Sequence, residues 1–271
     1  MGRGRNLAFA VLVAGVLAAP PIAVVGGSSG ACPPGSTEIG DTGTCTHGFD
    51  PADTTAVAPA RRAAAANTLS CEGDGQSGRR IQVLYLYQQG SENKLDDVRA
   101  TLQQRTKDVD DIIVASAAKT GGTRHGRFVT TSAPDCFADV RGVAVSASSL
   151  NGDFNTLAPE LAAKGFDRFD RKYLTFSDKP DAFAGGIAQW IDDDSPDPVL
   201  SSQNNSALHA MVFKYNPNVP AQETDPDLWW SARSAAHELG HILGAVQNSA
   251  PRTSGGSHCN DGLDVMCYND G

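Results

Sequence analysis

The chain has 271 residues, of which 40% are hydrophobic and 20% are charged, a composition typical of a globular protein rather than a disordered one. Thirty-one acidic and 22 basic side chains give a formal net charge of −9, which argues against nucleic acid or an anionic membrane surface as a partner. Beyond the N-terminus, no stretch approaches the roughly 18–20 apolar residues that a spanning helix needs. The composition therefore argues against an integral membrane protein.

The first residues have the pattern of a secretory signal peptide. Two arginines are followed by an apolar run from Leu7 to Ala19. Cleavage at Ala19 or later, up to Ala31, fits this pattern, so residues 1–31 are predicted to be the signal peptide with an uncertain cleavage site. An N-terminal anchor helix is the alternative, although the apolar run is short for one.

The six cysteines also indicate export. None of them forms the C-x-x-C pattern of a zinc knuckle or a redox site, so disulfides in an oxidising compartment are expected. These features predict a secreted, extracellular protein. Neighbourhood in the sequence predicts the pairs Cys32–Cys45, Cys71–Cys136 and Cys259–Cys267.

Residues 32–70 are predicted to be a pro-segment or low-complexity linker. Gly, Ser, Thr, Pro and Ala dominate this stretch, apolar periodicity is absent and prolines interrupt any helix. A thiolate of Cys32 or Cys45 could act there as a temporary zinc ligand, but disulfide pairing is the favoured interpretation. The compact domain is predicted to cover residues 71–271.

Strands and helices alternate along this domain. Runs rich in β-branched and aromatic residues predict the strands, and apolar residues at helical spacing predict the helices. Their order implies an α/β (α+β) fold in which a mixed, twisted sheet packs on helices. The predicted elements are strand Arg80–Tyr87, helix Leu95–Ala118, strands Arg127–Thr131 and Val140–Ala147, helix Phe154–Lys164, strand Lys172–Phe176, edge strand Gly186–Trp190, strand Leu208–Tyr215 and a long helix Asp227–Leu243.

One motif in the last helix carries recognisable chemistry. His237, Glu238 and His241 form the H-E-x-x-H pattern. Residues four apart lie on one face of a helix, so both imidazoles can reach one zinc ion. Glu238 can then take a proton from a water molecule whose pKa the metal has lowered.

Two segments resemble the metzincin metalloproteases. The sequence HELGHILG, from His237 to Gly244, resembles the first eight positions of their extended zinc signature, in which the glycine ends the helix. The sequence DVMCY, which ends at Tyr268, resembles their Met-turn, and residues 237–268 together are similar to secreted actinobacterial metalloprotease-like proteins. The resemblance implies a metzincin-like fold with a small C-terminal Met-turn subdomain. It also implies that Met266 lies beneath the metal and that Tyr268 binds zinc or the transition state.

The chain departs from the metzincin pattern at the third metal ligand. Gln247 occupies the position of the expected histidine, and a neutral amide is a weak zinc ligand. His258, which follows the flexible Gly255–Gly256 pair, is the favoured third ligand. Asp261, Asp264 and Gln247 itself remain alternatives, as does a site without a third protein ligand.

Other signals are weaker. The acidic run Asp192–Asp197 could be a calcium loop, but it lacks the intervening glycine and is more typical of a solvated turn. The isolated histidines His47, His125 and His209 are more typical of surface or hydrogen-bonded core positions than of ligands. No G-x-S-x-G elbow or phosphate-binding glycine loop is present.

The sequence thus predicts a secreted zinc metallopeptidase that acts on a peptide or protein, with no nucleic-acid partner and no membrane partner after signal removal. The substrate backbone is expected to pair with the edge strand Gly186–Trp190. A catalytically weak or inactive metzincin-like binding protein is the alternative, suggested by Gln247. The predicted site comprises the metal ligands His237, His241 and His258, the catalytic residues Glu238 and Tyr268, and Met266 beneath the metal.

Overall fold

The computed structural model describes most of the predicted domain and part of the segment before it. The described residues are 32, 35–40, 43–51, 67–260 and 264–267. The predicted signal peptide, Asp261 and Tyr268 lie outside them.

A mixed six-stranded sheet forms the centre of the fold. Its strand order is β3-β7-β8-β6-β4-β5, and the four strands from β8 to β5 are parallel, whereas β7 runs antiparallel between β8 and β3. A separate two-stranded ribbon pairs β1 with β2. The strands are β1 (Thr37–Glu38), β2 (Cys45–Thr46), β3 (Asp50–Pro51), β4 (Arg80–Gln88), β5 (Val140–Val145), β6 (Arg171–Ser177), β7 (Ala184–Ala188) and β8 (Leu208–Val212).

Helices cover both faces of this sheet. One face packs against α1 and α6, and the other packs against α2 and α3. The helices are α1 (Leu95–Lys119), α2 (Ala147–Leu150), α3 (Phe154–Ala162), α4 (Ser202–Asn205), α5 (Pro220–Thr224) and α6 (Ala232–Ile242), with a 3₁₀ turn at Pro226–Leu228. No described helix combines the length and apolar character needed to cross a membrane.

The central strand β4 shows why two buried layers form. Successive side chains of a strand point to opposite faces of the sheet. Val83 and Tyr85 therefore join the core beneath α1 and α6, whereas Leu84 and Leu86 join the core beneath α3. A strand buried on both faces must be apolar throughout, which is the pattern of a central parallel strand.

The predicted mixed α/β class is confirmed, but three of the predicted elements differ in the structure. Residues 127–131 make only isolated bridges, because their backbone partner changes from Ile81 to Ala138 within a few residues. The last helix begins at Ala232 rather than near residue 227, because the Ser231 side chain caps it and a 3₁₀ turn precedes it. The predicted edge strand is β7, and it is not at the edge, because β3 pairs with its outer side.

The three predicted disulfides are all present in the structure. Cys32–Cys45 lies within the N-terminal segment, Cys71–Cys136 lies within the domain, and Cys259–Cys267 closes a short loop near the end. The described chain has no free cysteine. The hypothesis of a thiolate zinc ligand from Cys32 or Cys45 is therefore wrong for this disulfide-bonded state.

His209 is one histidine that the fold uses for packing. Its ring is buried on β8, stacks on Tyr173 with centroids 4.9 Å apart, and lies 2.9 Å from Gln189 Oε1 and 3.2 Å from the Phe166 carbonyl oxygen. Burial lowers the pKa of this ring to about 4 from its ordinary value of 6.5. The folded protein therefore keeps His209 neutral at a pH where the unfolded chain protonates it.

We predict that His209 makes the fold acid-sensitive between pH 6.5 and pH 4. As the pH falls through this window the unfolded chain binds the proton first, so stability is fully present above pH 6.5 and is lost towards pH 4. The loss from this group reaches about 3 kcal/mol. In urea unfolding at pH 7.5 and 4.5, His209→Gln should show a smaller pH dependence than the wild type. An unchanged pH dependence would contradict this assignment.

Candidate metal centre

Helix α6 holds three chemically active side chains on one buried surface. Ser231 caps its start by accepting a hydrogen bond from the Ser234 backbone N–H. His237, Glu238 and His241 are all completely buried. The helix ends just before Gly244, whose φ of +87° turns the chain away.

A disulfide-closed loop carries His258 to this helix. The Cys259–Cys267 bond and a hydrogen bond from the Cys259 N–H to the Met266 carbonyl oxygen join the two sides of the loop. His258 lies 5% exposed, next to the disulfide. The same loop brings the Val265 carbonyl oxygen within 2.7 Å of His237 Nδ1.

Met266 packs directly against α6. It is buried, and a Cβ atom at Gly240 would overlap its sulfur. Gly240 lies between His237 and His241 in the sequence. Because glycine has no side chain, the Met266 side chain can lie against the helix at this position. The packing is that of a flexible thioether filling an irregular space beside the site.

Two further residues reach the site from residues 43–51, a segment that we call the N-terminal strap. The side chains of His47 and Asp50 are only 5% and 4% exposed there, although both residues belong to the predicted pro-segment or linker. In a regular strand, residues three apart point to opposite faces. Gly48 has a φ of +95°, and this left-handed turn allows His47 and Asp50 to face the same side.

The five side chains converge on one point. His237, His241, His258, His47 and Asp50 each offer a ligand atom, and these atoms all lie within 4.8 Å of one another. His237 Nε2 lies 2.9 Å from His241 Nε2 and 3.1 Å from Asp50 Oδ2, and His258 Nε2 lies 3.3 Å from Asp50 Oδ1. His47 Nε2 lies 3.7 Å from Asp50 Oδ2.

These spacings fit a divalent metal ion. Zinc–nitrogen bonds of about 2.0–2.1 Å place tetrahedral ligand atoms about 3.4 Å apart, close to the separations of 2.9–3.7 Å found here. The Val265 carbonyl can only accept a hydrogen bond, so His237 Nδ1 carries a proton and Nε2 faces the cluster, where a neutral ring would offer its lone pair to a metal ion. The cluster can therefore hold a metal ion with imidazole and carboxylate ligands.

Glu238 lies next to this cluster, under strand β7. A Cβ atom at Gly186 would overlap the Glu238 carboxylate, so only glycine permits this packing. Both carboxylate oxygens are buried and have no hydrogen-bond partner among the described residues. Burial and the nearby Asp50 carboxylate raise the pKa of Glu238 well above its usual range.

The pKa values of Asp50 and His241 are lowered, whereas that of Glu238 is raised. Burial alone would raise the pKa of Asp50, but hydrogen bonds from His237 and His258 and the charge of His47 hold it well below its usual range. Burial lowers the pKa of His241, and His47 and His237 lower it further. An ionised Asp50 beside a neutral His241 is the protonation state that suits metal binding.

The alternatives for the third ligand lie elsewhere. Gln247 is 9% exposed, and its amide accepts a hydrogen bond from the Asp193 N–H and donates one to the Ile191 carbonyl oxygen. Asp264 is exposed and accepts a hydrogen bond from the Met266 N–H. Among the described alternatives, His258 is the side chain that lies beside His237 and His241; Asp261 and Tyr268 lie outside the described residues.

His47 and Asp50 are the site residues that sequence reasoning missed. In the sequence His47 is an isolated histidine, and the surrounding stretch shows no apolar periodicity that would predict a packed element. A usable signal is its H-x-x-D spacing to Asp50, which begins two residues after the disulfide cysteine Cys45. The other two isolated histidines stay outside the cluster: His209 is a core residue, and His125 lies 3.1 Å from Asp110.

The acidic run at 192–197 forms a hydrogen-bonded turn. Asp193 accepts hydrogen bonds from the Ser195 and Ser202 backbone N–H groups, and Asp197 accepts one from the Val199 N–H. The Asp193 N–H donates a hydrogen bond to the Gln247 amide oxygen, and the Asn248 side-chain amide donates one to the Asp192 carboxylate, so this turn is tied to the loop that follows α6. The carboxylates thus act as local caps.

Comparisons with known proteins do not identify a relative of this chain, so the site is interpreted from its geometry. Searches against protein-family models, curated protein sequences and solved structures found no match.

We predict that His258→Ala weakens zinc binding by more than about 100-fold, because loss of a residue that merely orients a ligand already costs about 10–100-fold. Gln247→Ala should change zinc affinity much less, since its amide bonds to the 191–193 backbone. Competition with a chromophoric chelator measures both, with His125→Ala as a control for loss of a histidine outside the cluster. Equal effects of His258→Ala and Gln247→Ala would contradict the assignment.

Proposed function

We propose that the protein is an exported zinc-dependent endopeptidase. The observation that carries the proposal is the convergence of His237, His241 and His258 beside a buried, unpartnered Glu238. Imidazole and carboxylate ligands of this kind suit zinc better than magnesium or calcium. The three disulfides and the N-terminal signal pattern support export.

Zinc would supply a lowered pKa for water and polarisation of a peptide carbonyl. Residues of the chain would bind the metal ion and transfer the proton. His237, held by the Val265 carbonyl oxygen, and His241 and His258 would bind the ion. Glu238 would take the proton of the attacking water and pass it to the leaving amine. Burial and the Asp50 carboxylate raise the pKa of Glu238 above its usual range, which makes the residue a stronger base than an exposed glutamate.

Strand β7 provides a place for an extended peptide. Its outer side makes backbone pairs with only two strap residues, and it passes directly over Glu238 at Gly186. A peptide that added itself to this side would run across the metal centre. Tyr268 lies outside the described residues, so its part in binding zinc or the transition state rests on the resemblance to metzincins.

The second candidate is an exported zinc-binding protein without catalysis. Structural zinc sites are closed, whereas catalytic sites keep one position open for water or substrate. His47 and Asp50 add two donors to the three histidines, which favours a closed site. Activity of the zinc-loaded protein distinguishes the two candidates.

We predict that Glu238→Gln lowers peptide hydrolysis by about 10²–10⁴-fold while one zinc per chain stays bound, because this residue moves a proton and does not hold the metal. Cleavage of a quenched fluorescent peptide and zinc content of the purified protein are measured together. Glu223→Gln, on the exposed side of α5, is the matched control. Undiminished hydrolysis by zinc-loaded Glu238→Gln would contradict the mechanism.

A further inference from the structure

The N-terminal strap passes over the metal centre beside Glu238, the proposed general base. Asp50 pairs with Gly186 in the antiparallel register of β3 and β7. Gly186 is the residue whose missing side chain makes room for Glu238. The backbone of the strap therefore lies opposite the strand position that covers the Glu238 carboxylate, as a bound peptide would.

The Asp50 carboxylate occupies the space between two of the metal ligands. Its two oxygens lie 3.1 Å from His237 Nε2 and 3.3 Å from His258 Nε2. A water molecule or a substrate carbonyl would need the same space, since a catalytic site keeps one ligand position open for them. With His47 and Asp50 in place, both donors of the strap compete for that position.

Phe49 and Asp50 point to opposite faces of the sheet. The contacts of the Phe49 ring indicate which kind of side chain fits on its face. Its ring lies 5.9 Å from the ring of Phe213 and close to the space above Gly152, where Ile187 also lies. Phe49 is nevertheless 56% exposed, so it rests in a shallow apolar subsite rather than in the core. A side chain of similar size from another peptide could take its place.

No disulfide joins the strap to the rest of the protein among the described residues. Cys45 is bonded to Cys32 of the same N-terminal segment, and the other two disulfides lie wholly within residues 71–267. The strap is attached by the β3–β7 pairs, by the backbone bonds between Cys45 and Trp190, and by the contacts of its side chains. Such an attachment can open without breaking a covalent bond.

We propose that the strap is an internal substrate mimic that occupies the peptide-binding groove along β7, and that this groove selects extended peptides with an aromatic or large aliphatic side chain at the Phe49 position. The proposal rests on the peptidase function proposed above. It adds that the closed chain has low activity and that hydrolysis follows the fraction of chains in which the strap has opened.

Two single substitutions in the full chain weaken the strap in independent ways. Asp50→Asn removes its charge from the metal centre, and Phe49→Ala removes its ring from the subsite. Phe169→Ala, an exposed phenylalanine outside the groove, and Asp96→Asn, an exposed carboxylate on α1, are the matched controls. Each protein is loaded with zinc and measured for zinc content, acetohydroxamate binding and cleavage of a fluorescent peptide.

Both strap variants should keep one zinc per chain, bind acetohydroxamate more tightly and raise kcat/KM at least about tenfold over the wild type, because apparent affinity scales with the open fraction. Adding Glu238→Gln should remove the gained activity. Loss of zinc from Asp50→Asn without a gain in hydroxamate binding would overturn the inference and identify Asp50 as a permanent ligand. A wild type as active as the variants would overturn it while leaving the peptidase function standing.

The hydroxamate measurement separates the two proposals. Tighter hydroxamate binding by both variants, without any hydrolysis, would support the strap as a reversible cover of the metal centre and contradict the peptidase function. The substrate class is tested with the synthetic peptide Thr-His-Gly-Phe-Asp-Pro, which copies residues 46–51. It should inhibit the Asp50→Asn variant, and a version with Lys in place of Phe should inhibit at least about threefold less, because the ring is only partly covered in this subsite and gains correspondingly less than a fully buried one. Equal inhibition by the two peptides would overturn the assigned subsite.

Discussion

The interaction on which the site depends is the burial of several imidazoles and two carboxylates around one point. Removing charged and polar groups from water costs several kcal/mol each unless they are paired. His237, Asp50 and His258 partly satisfy one another, but both oxygens of Glu238 have no hydrogen-bond partner in the described part of the chain. A cation at the centre would offset this cost, so metal binding and the packing of α6 beneath the sheet are coupled.

Two glycines let the surrounding elements approach closely enough to build this arrangement. Gly186 allows the Glu238 carboxylate to lie directly under strand β7, and Gly240 allows the Met266 sulfur to lie against α6. Any larger residue would push the strand or the Met266 loop away from the helix. The position of the ligands is therefore set by backbone proximity as much as by the ligand residues themselves.

Local pattern in the sequence predicts the parts of the structure that depend on local forces. Strand β4 follows from its β-branched and aromatic residues and helix α1 follows from helical spacing, and the shared face of His237 and His241 follows from a separation of four residues. The strap could not be predicted in this way, because its pairing with β7 joins distant parts of the chain through a two-residue strand. The turn at Gly48 places His47 and Asp50 on one side, and such a turn produces no hydrophobic periodicity in the sequence.

The disulfide between Cys259 and Cys267 makes the metal centre depend on the redox conditions around the protein. This loop carries His258, presents the Val265 carbonyl oxygen to His237 and holds Met266 against α6. In a reducing cytosol the two thiols stay separate, and three supports of the centre are then free to move apart. Affinity for a metal ion would thus be higher in the oxidised chain than in the reduced one, and the redox state of this one disulfide would set how well the cluster holds a cation.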